Sequence, residues 1–156
     1  MDTHVVILTL HSWFRWIALI AGVAATIAAG ARPGSSGPSG TSHADRWGLA
    51  LMATLDLQML LGLLMYLVVS PTIAQIRANF GAAMKDPAAR FWAVEHLSMM
   101  MVAVIVVHVG RVLARKAASP DAKRMRLLVC FGVATVLMFL AIPWPGMRAG
   151  RPLFRF

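Results

Sequence analysis

The sequence predicts an all-α integral membrane protein: a four-helix bundle with a short interfacial helix between spans two and three. Three observations carry this. The 156 residues are 59% hydrophobic and only 13% charged, whereas soluble domains run near 45–50% apolar and about 25% charged. Four stretches reach the length of about 20 mostly apolar residues that a spanning helix needs, at residues 5–31, 47–69, 88–114 and 125–142. None shows the strict alternation of a barrel strand. The length suits one transmembrane domain, and so apolar a chain excludes disorder.

The first stretch is no cleaved signal peptide, because His11 and Arg15 interrupt it and no basic start precedes it. Its uncharged part runs from Trp16 to Ala31, so Arg15 is either interfacial or buried with a partner. Residues 30–41 are rich in Gly, Ser and Pro and read as a flexible loop. Three later helices open on a capping residue followed by proline: Ser70-Pro71, Asp86-Pro87 and Ser119-Pro120. The first of these starts the segment 72–82, with Ile73, Ile76 and Phe80 at helical spacing, expected to lie in the interface. Pro143-Trp144-Pro145 stops the fourth span.

The net charge of +9 means lipid headgroups and helix-end anchors in so apolar a chain, not nucleic acid. Four spans place both termini on one side. Loops one and three with their flanks hold Arg32, Arg46, Arg111, Arg115, Lys116, Lys123, Arg124 and Arg126. The other side holds Arg77, Lys85, Arg90, Arg148, Arg151 and Arg155. The balance sets the termini on the non-cytoplasmic side of a bacterial inner membrane. The tail 148–156 reads as an interfacial anchor or a dock for a partner subunit. The single cysteine, Cys130, excludes a disulfide framework, a four-cysteine metal site and covalent haem attachment through C-x-x-C-H.

Ionisable residues inside spans are costly and mark function by default; here they are His11, Arg15, Asp56, Glu95, His96 and His108. Spans one and three run in parallel, and His11 and His96 fall at matched depth near their terminal ends. The helix stripe through His11 holds Ala18, Gly22, Ala25 and Ala29, and the stripe through His96 holds Ala89, Ala103, Gly110 and Ala114. Small residues admit either another helix or a flat rigid ligand. Two histidines at one depth beside such faces meet the needs of one haem with two axial imidazoles. Zinc or copper would want three or four ligands together. Ordinary helix packing, with each histidine hydrogen-bonded inside the bundle, describes the same pattern.

Arg15 has three candidate fates: the Glu95 carboxylate, a haem propionate, or the interface, with Trp13, Trp16 and Trp92 as belt residues. His108 follows His96 by 12 residues, about 18 Å along the helix and on another flank. Spans two and four offer it no partner histidine for a second haem. Asp56 stands at a similar depth and could join it as a proton or quinone site or as a structural hydrogen bond, and Gln58 could serve either role. Met99, Met100 and Met101 point in three directions and read as packing rather than a metal box.

Three motifs in order, Leu10-His11-Ser12-Trp13-Phe14-Arg15-Trp16, Arg90-Phe91-Trp92-Ala93-Val94-Glu95-His96 with Met99-Met100, and Ile142-Pro143-Trp144-Pro145, resemble a family of small four-span bacterial proteins commonly labelled "cytochrome b". The similarity covers nearly the whole chain, loop one excepted. It implies that His11 and His96 are the functional histidines, with Arg15 and Glu95 attached to them; His108 lies outside the motifs. The expectation is an electron carrier holding one haem b between spans one and three. It would pass electrons between quinol or a redox partner and a respiratory component, with no catalytic constellation of its own. The alternative is a cofactor-free accessory or assembly subunit of a larger respiratory or photosynthetic membrane complex.

Overall fold

The computed structural model describes residues 2–31 and 42–154. Its elements in order are α1 (Thr3–Gly30), α2 (His43–Leu64), a π-turn (Met65–Val69), α3 (Pro71–Ala78), α4 (Phe80–Ala83), α5 (Pro87–Arg90), a second π-turn (Phe91–Glu95), α6 (His96–Arg115) and α7 (Pro120–Ala141), with no strand among the described residues. Four helical stretches, Thr3–Gly30, His43–Val69, Pro87–Arg115 and Pro120–Ala141, are long and apolar enough to cross a membrane. The chain is a multi-pass helical bundle. Most of loop one, and the tail residues Arg155 and Phe156, lie outside the described residues.

All three capping expectations hold. Ser70, Asp86 and Ser119 accept from the main-chain N–H of Ile73, Ala89 and Ala122, each supplying an acceptor to a donor the helix start leaves unpaired. The proline after each cap gives up no needed hydrogen bond. The connecting segment divides differently from its predicted continuous run 72–82. Asn79 leaves helical geometry and caps the short α4, so Ile73 and Ile76 stay buried while Phe80 turns outward.

Lipid tails are as apolar as leucine, so these helices associate by close packing rather than by hydrophobic exclusion. The fourth span supplies the knobs. Beside Gly48 of α2, an added Cβ would stand 2.4 Å from Phe131 Cζ; beside Gly110 of α6, 2.4 Å from Cys130 Cβ; beside Gly22 of α1, 2.6 Å from Met138 Cε. Three glycines on three helices thus receive side chains of α7, and only glycine leaves that room. The alanines of the two predicted stripes extend the seams: Ala18, Ala25, Ala29, Ala103 and Ala114 are all buried. Over these lengths the small residues serve helix–helix packing. Thr26 and Thr135 add an interhelical hydroxyl pair at 3.3 Å.

At the loop-one end, basic side chains satisfy helix termini. Arg124 donates to the Gly30 carbonyl and Arg126 to the Leu113 carbonyl. Lys123 meets Asp45 at 2.7 Å. Much of the excess positive charge on this side is therefore engaged with main-chain carbonyls and two carboxylates, Asp45 and Asp121.

Candidate functional site: a histidine pair at the open end of the bundle

At the terminal end the bundle loses a helix. Span four stops at Ala141, and the corner it vacates is filled by the chain that follows. Residues 143–151 close on themselves through Met147 N–H to Trp144 O, Gly150 N–H to Met147 O and Arg151 N–H to Pro143 O. The turn relies on Gly146, whose φ of 93° an L side chain would resist. Residues 153–154 then dock on span one. The Leu153 carbonyl accepts from Arg15 Nη2 and from Trp16 Nε1. Phe154 stacks on Trp16 at 5.5 Å and leans on Trp13 at 5.7 Å. Arg151 lies over the Trp92 ring at 5.6 Å. The tryptophans expected to form an interfacial belt also hold this tail.

Between the tail, α3 and the four spans lies a cavity of about 330 Å³, lined by His11, His96, Arg15, Gln58, Gly62, Tyr66 and Arg151 among others. That volume falls at the lower end of small-molecule sites. His11 and His96 face each other in it, ring centroids 6.3 Å apart and ring planes 69° apart. His96 Nδ1 makes a 2.8 Å hydrogen bond with the Ala141 carbonyl. His11 Nδ1 is buried with no hydrogen-bond partner among the described residues. Gly62 of span two faces the His11 ring, where an added Cβ would stand 3.4 Å from Cε1, an ordinary contact.

Both π-turns border this cavity, and neither was legible from a strict helical period. The second one immediately precedes His96. A π-turn adds a residue to one helical turn and recurs at functional sites. Tyr66 Oη, from the first, donates to the Ala93 carbonyl of the second at 2.8 Å, tying spans two and three together at the level of the histidines. Arg77 also donates to the Tyr66 carbonyl.

Of the predicted residues, the structure brings His11, His96 and Arg15 to one cavity. It does not bring Glu95 there: the carboxylate turns outward to Arg90 at 2.7 Å. Among the described residues no Asp or Glu lines the cavity, while Arg15 and Arg151 both do. Gln58 is 5% exposed; its Nε2 donates to the His11 carbonyl at 2.9 Å, and no donor among the described residues reaches its Oε1. Met100 lines the cavity while Met101 faces outward, as three successive helix positions must diverge.

Asp56 and His108 do meet, at 3.5 Å, but on the outer surface of α2 and α6, with side chains 48% and 44% exposed. His108 Nδ1 also contacts the Val104 carbonyl. The pair is separate from the histidine cavity.

Tyr66 and Gly62 escaped the sequence reading, which saw in Arg151 only part of an anchoring or docking tail and in Gln58 only a partner for Asp56 and His108. One signal was available. Gln58, Gly62 and Tyr66 recur every four residues, a polar and small stripe on one face of an apolar span. Gln58→Leu removes the bond to His11 together with the orphaned Oε1. The ligand-free protein should therefore change in stability by less than about 1 kcal/mol, measurable as the midpoint of thermal unfolding in detergent.

No His, Cys, Asp or Glu cluster of three that could hold a metal ion exists among the described residues. The chemistry on offer is two imidazoles across a buried gap, cationic groups beside it and an apolar lining. Comparison of the chain with protein-family models, curated proteins and solved structures finds no match.

Proposed function

We propose that the protein is a b-type-cytochrome-like electron carrier of the bacterial cytoplasmic membrane, its termini on the non-cytoplasmic side, holding one haem b between spans one and three. The observation that carries this is the 6.3 Å separation of the His11 and His96 rings. Two imidazoles bound end-on to one metal ion, at about 2 Å per bond, have centroids about 6 Å apart. The residues present fit the group. His96 has one ring nitrogen committed to Ala141, leaving the other for the cavity. His11 keeps a buried nitrogen without a partner among the described residues. Arg15 and Arg151 supply positive charge for the acidic groups of such a ligand.

The bound haem would supply a reversible one-electron couple. His11 and His96 would hold it. Arg15 and Arg151, which both line the cavity, would place positive charge beside it. The tail and Trp92 limit water at the site. Donor and acceptor would be a quinol or redox partner and another respiratory component.

The test is optical. Protein purified after expression with ample haem should show the reduced-minus-oxidised spectrum of a low-spin b haem. His11→Ala and His96→Ala should each abolish that spectrum while far-UV circular dichroism keeps its helical signal. A colourless wild-type protein would overturn the reading.

One observation favours a second reading, an accessory subunit of a larger respiratory or photosynthetic complex. The half-exposed Asp56–His108 pair sits on a face otherwise made of residues such as Ile105, Val109 and Leu60. A polar pair facing lipid is costly, and a neighbouring subunit would cover it. Stable co-purification with a large complex, by a protein without haem, would support that reading over the first.

A further inference from the structure

We propose that Pro143 and Pro145 are positioning residues that set the tautomer of His96 and thereby choose which of its nitrogens faces the cavity. The last four carbonyls of any helix lack intrahelical donors. In a helix that continued past Ala141, the Phe139 carbonyl would accept from the N–H of residue 143 and the Ala141 carbonyl from that of residue 145. Both positions are proline, which has no N–H to give. The chain therefore strips the regular donor from both carbonyls by its covalent structure.

The Phe139 carbonyl keeps one main-chain donor, the Ile142 N–H at 3.3 Å, and each of the two carbonyls also meets a side chain. Phe139 O accepts from Trp144 Nε1 at 3.0 Å, and Ala141 O meets His96 Nδ1 at 2.8 Å. Ala141 is 1% exposed, so leaving its carbonyl unpaired would carry the full penalty of a buried orphan. A carbonyl can only accept, so Nδ1 must carry the proton. A neutral imidazole has one ring proton, which leaves Nε2 with its lone pair. His11 has no such partner on Nδ1 among the described residues. The two imidazoles are thus prepared unequally, with His96 fixed before any ligand arrives and His11 free to choose. The main-chain carbonyl also makes the imidazole a better donor to a metal, since the partner on the far nitrogen raises ligand basicity.

The use of this device for haem ligation rests on the function proposed above; the tautomer itself does not. Nitrogen NMR of ¹⁵N-histidine-labelled, metal-free protein in detergent tests it directly. Wild-type His96 should show a protonated Nδ1 and a pyridine-like Nε2. The Pro143→Ala/Pro145→Ala chain regains both N–H donors, so its His96 should become a mixture of tautomers, and any haem it binds should be held about tenfold to a hundredfold more weakly. Trp144→Phe, which keeps both prolines, should leave the His96 signals as in the wild type and guards against a variant that fails to fold. A wild-type His96 protonated at Nε2 overturns the proposal, and so does a double variant that folds with the tautomer unchanged. A wild type with the expected tautomer that binds no haem supports this inference while sinking the function above.

Discussion

Gly110→Leu should pull spans three and four apart. A Cβ at Gly110 would lie 2.4 Å from Cys130 Cβ and 2.6 Å from its Sγ, and the rest of a leucine has no cavity to enter, because Ala103, Val107 and Phe131 fill the neighbouring core. Overpacking of this kind costs about 3 kcal/mol. The close approach is also what the seam lives on, because packing rather than hydrophobic exclusion holds membrane helices together. The measurement is the unfolding midpoint in mixed detergent micelles, with yield from the membrane fraction beside it. Gly110→Ala should destabilise less, and adding Cys130→Gly in the same chain should restore part of the loss, since the clash is with that Cβ. Additive effects of the two changes would show that the helices do not meet here.

A chain ending at Ile142 should keep its four spans and lose its grip on the cavity ligand. The truncation removes the Leu153 carbonyl from Arg15 and Trp16, the Phe154 stack, and Arg151. It spares the bond between His96 and Ala141 and, ending before positions 143 and 145, restores no main-chain donor to that carbonyl, so the facing of the two imidazoles and the His96 tautomer should survive while the outer support goes. Haem dissociation, followed by transfer to a haem-free globin, should be about tenfold faster than from the full chain. Helix content by circular dichroism should fall by no more than the missing tail. Equal dissociation rates would show that the tail contributes nothing to retention.

The spans and their starts were readable because their chemistry is local. A serine or aspartate followed by proline states where a helix begins, and Ser70, Asp86 and Ser119 all cap as expected. The depth match of His11 and His96 was readable because a helix converts sequence distance into height at a fixed rate, and the rings do meet. Rotation about the axis was harder. The π-turn at Phe91–Glu95 shifts side chains from the directions a 3.6-residue period assigns, and Glu95, one of three partners the sequence left open for Arg15, meets Arg90, five residues back. The small-residue stripes were legible as stripes, but their occupant depends on which helix packs against them. The structure gives Gly22 and Gly110 to span four. The return of the tail onto Trp13 and Trp16 depends on contacts 137 or more residues apart, which no local pattern encodes.

Because span four stops at Ala141 and residues 143–154 complete the corner, the cavity is closed by chain that is made after these four spans. Helices insert first and associate afterwards. During that interval His11, His96 and the cavity wall of spans one to three can already be in place while one side stands open. On the function proposed above, a bulky ligand would then meet a cavity still open on one side. A fourth helix of full length would have offered no such interval.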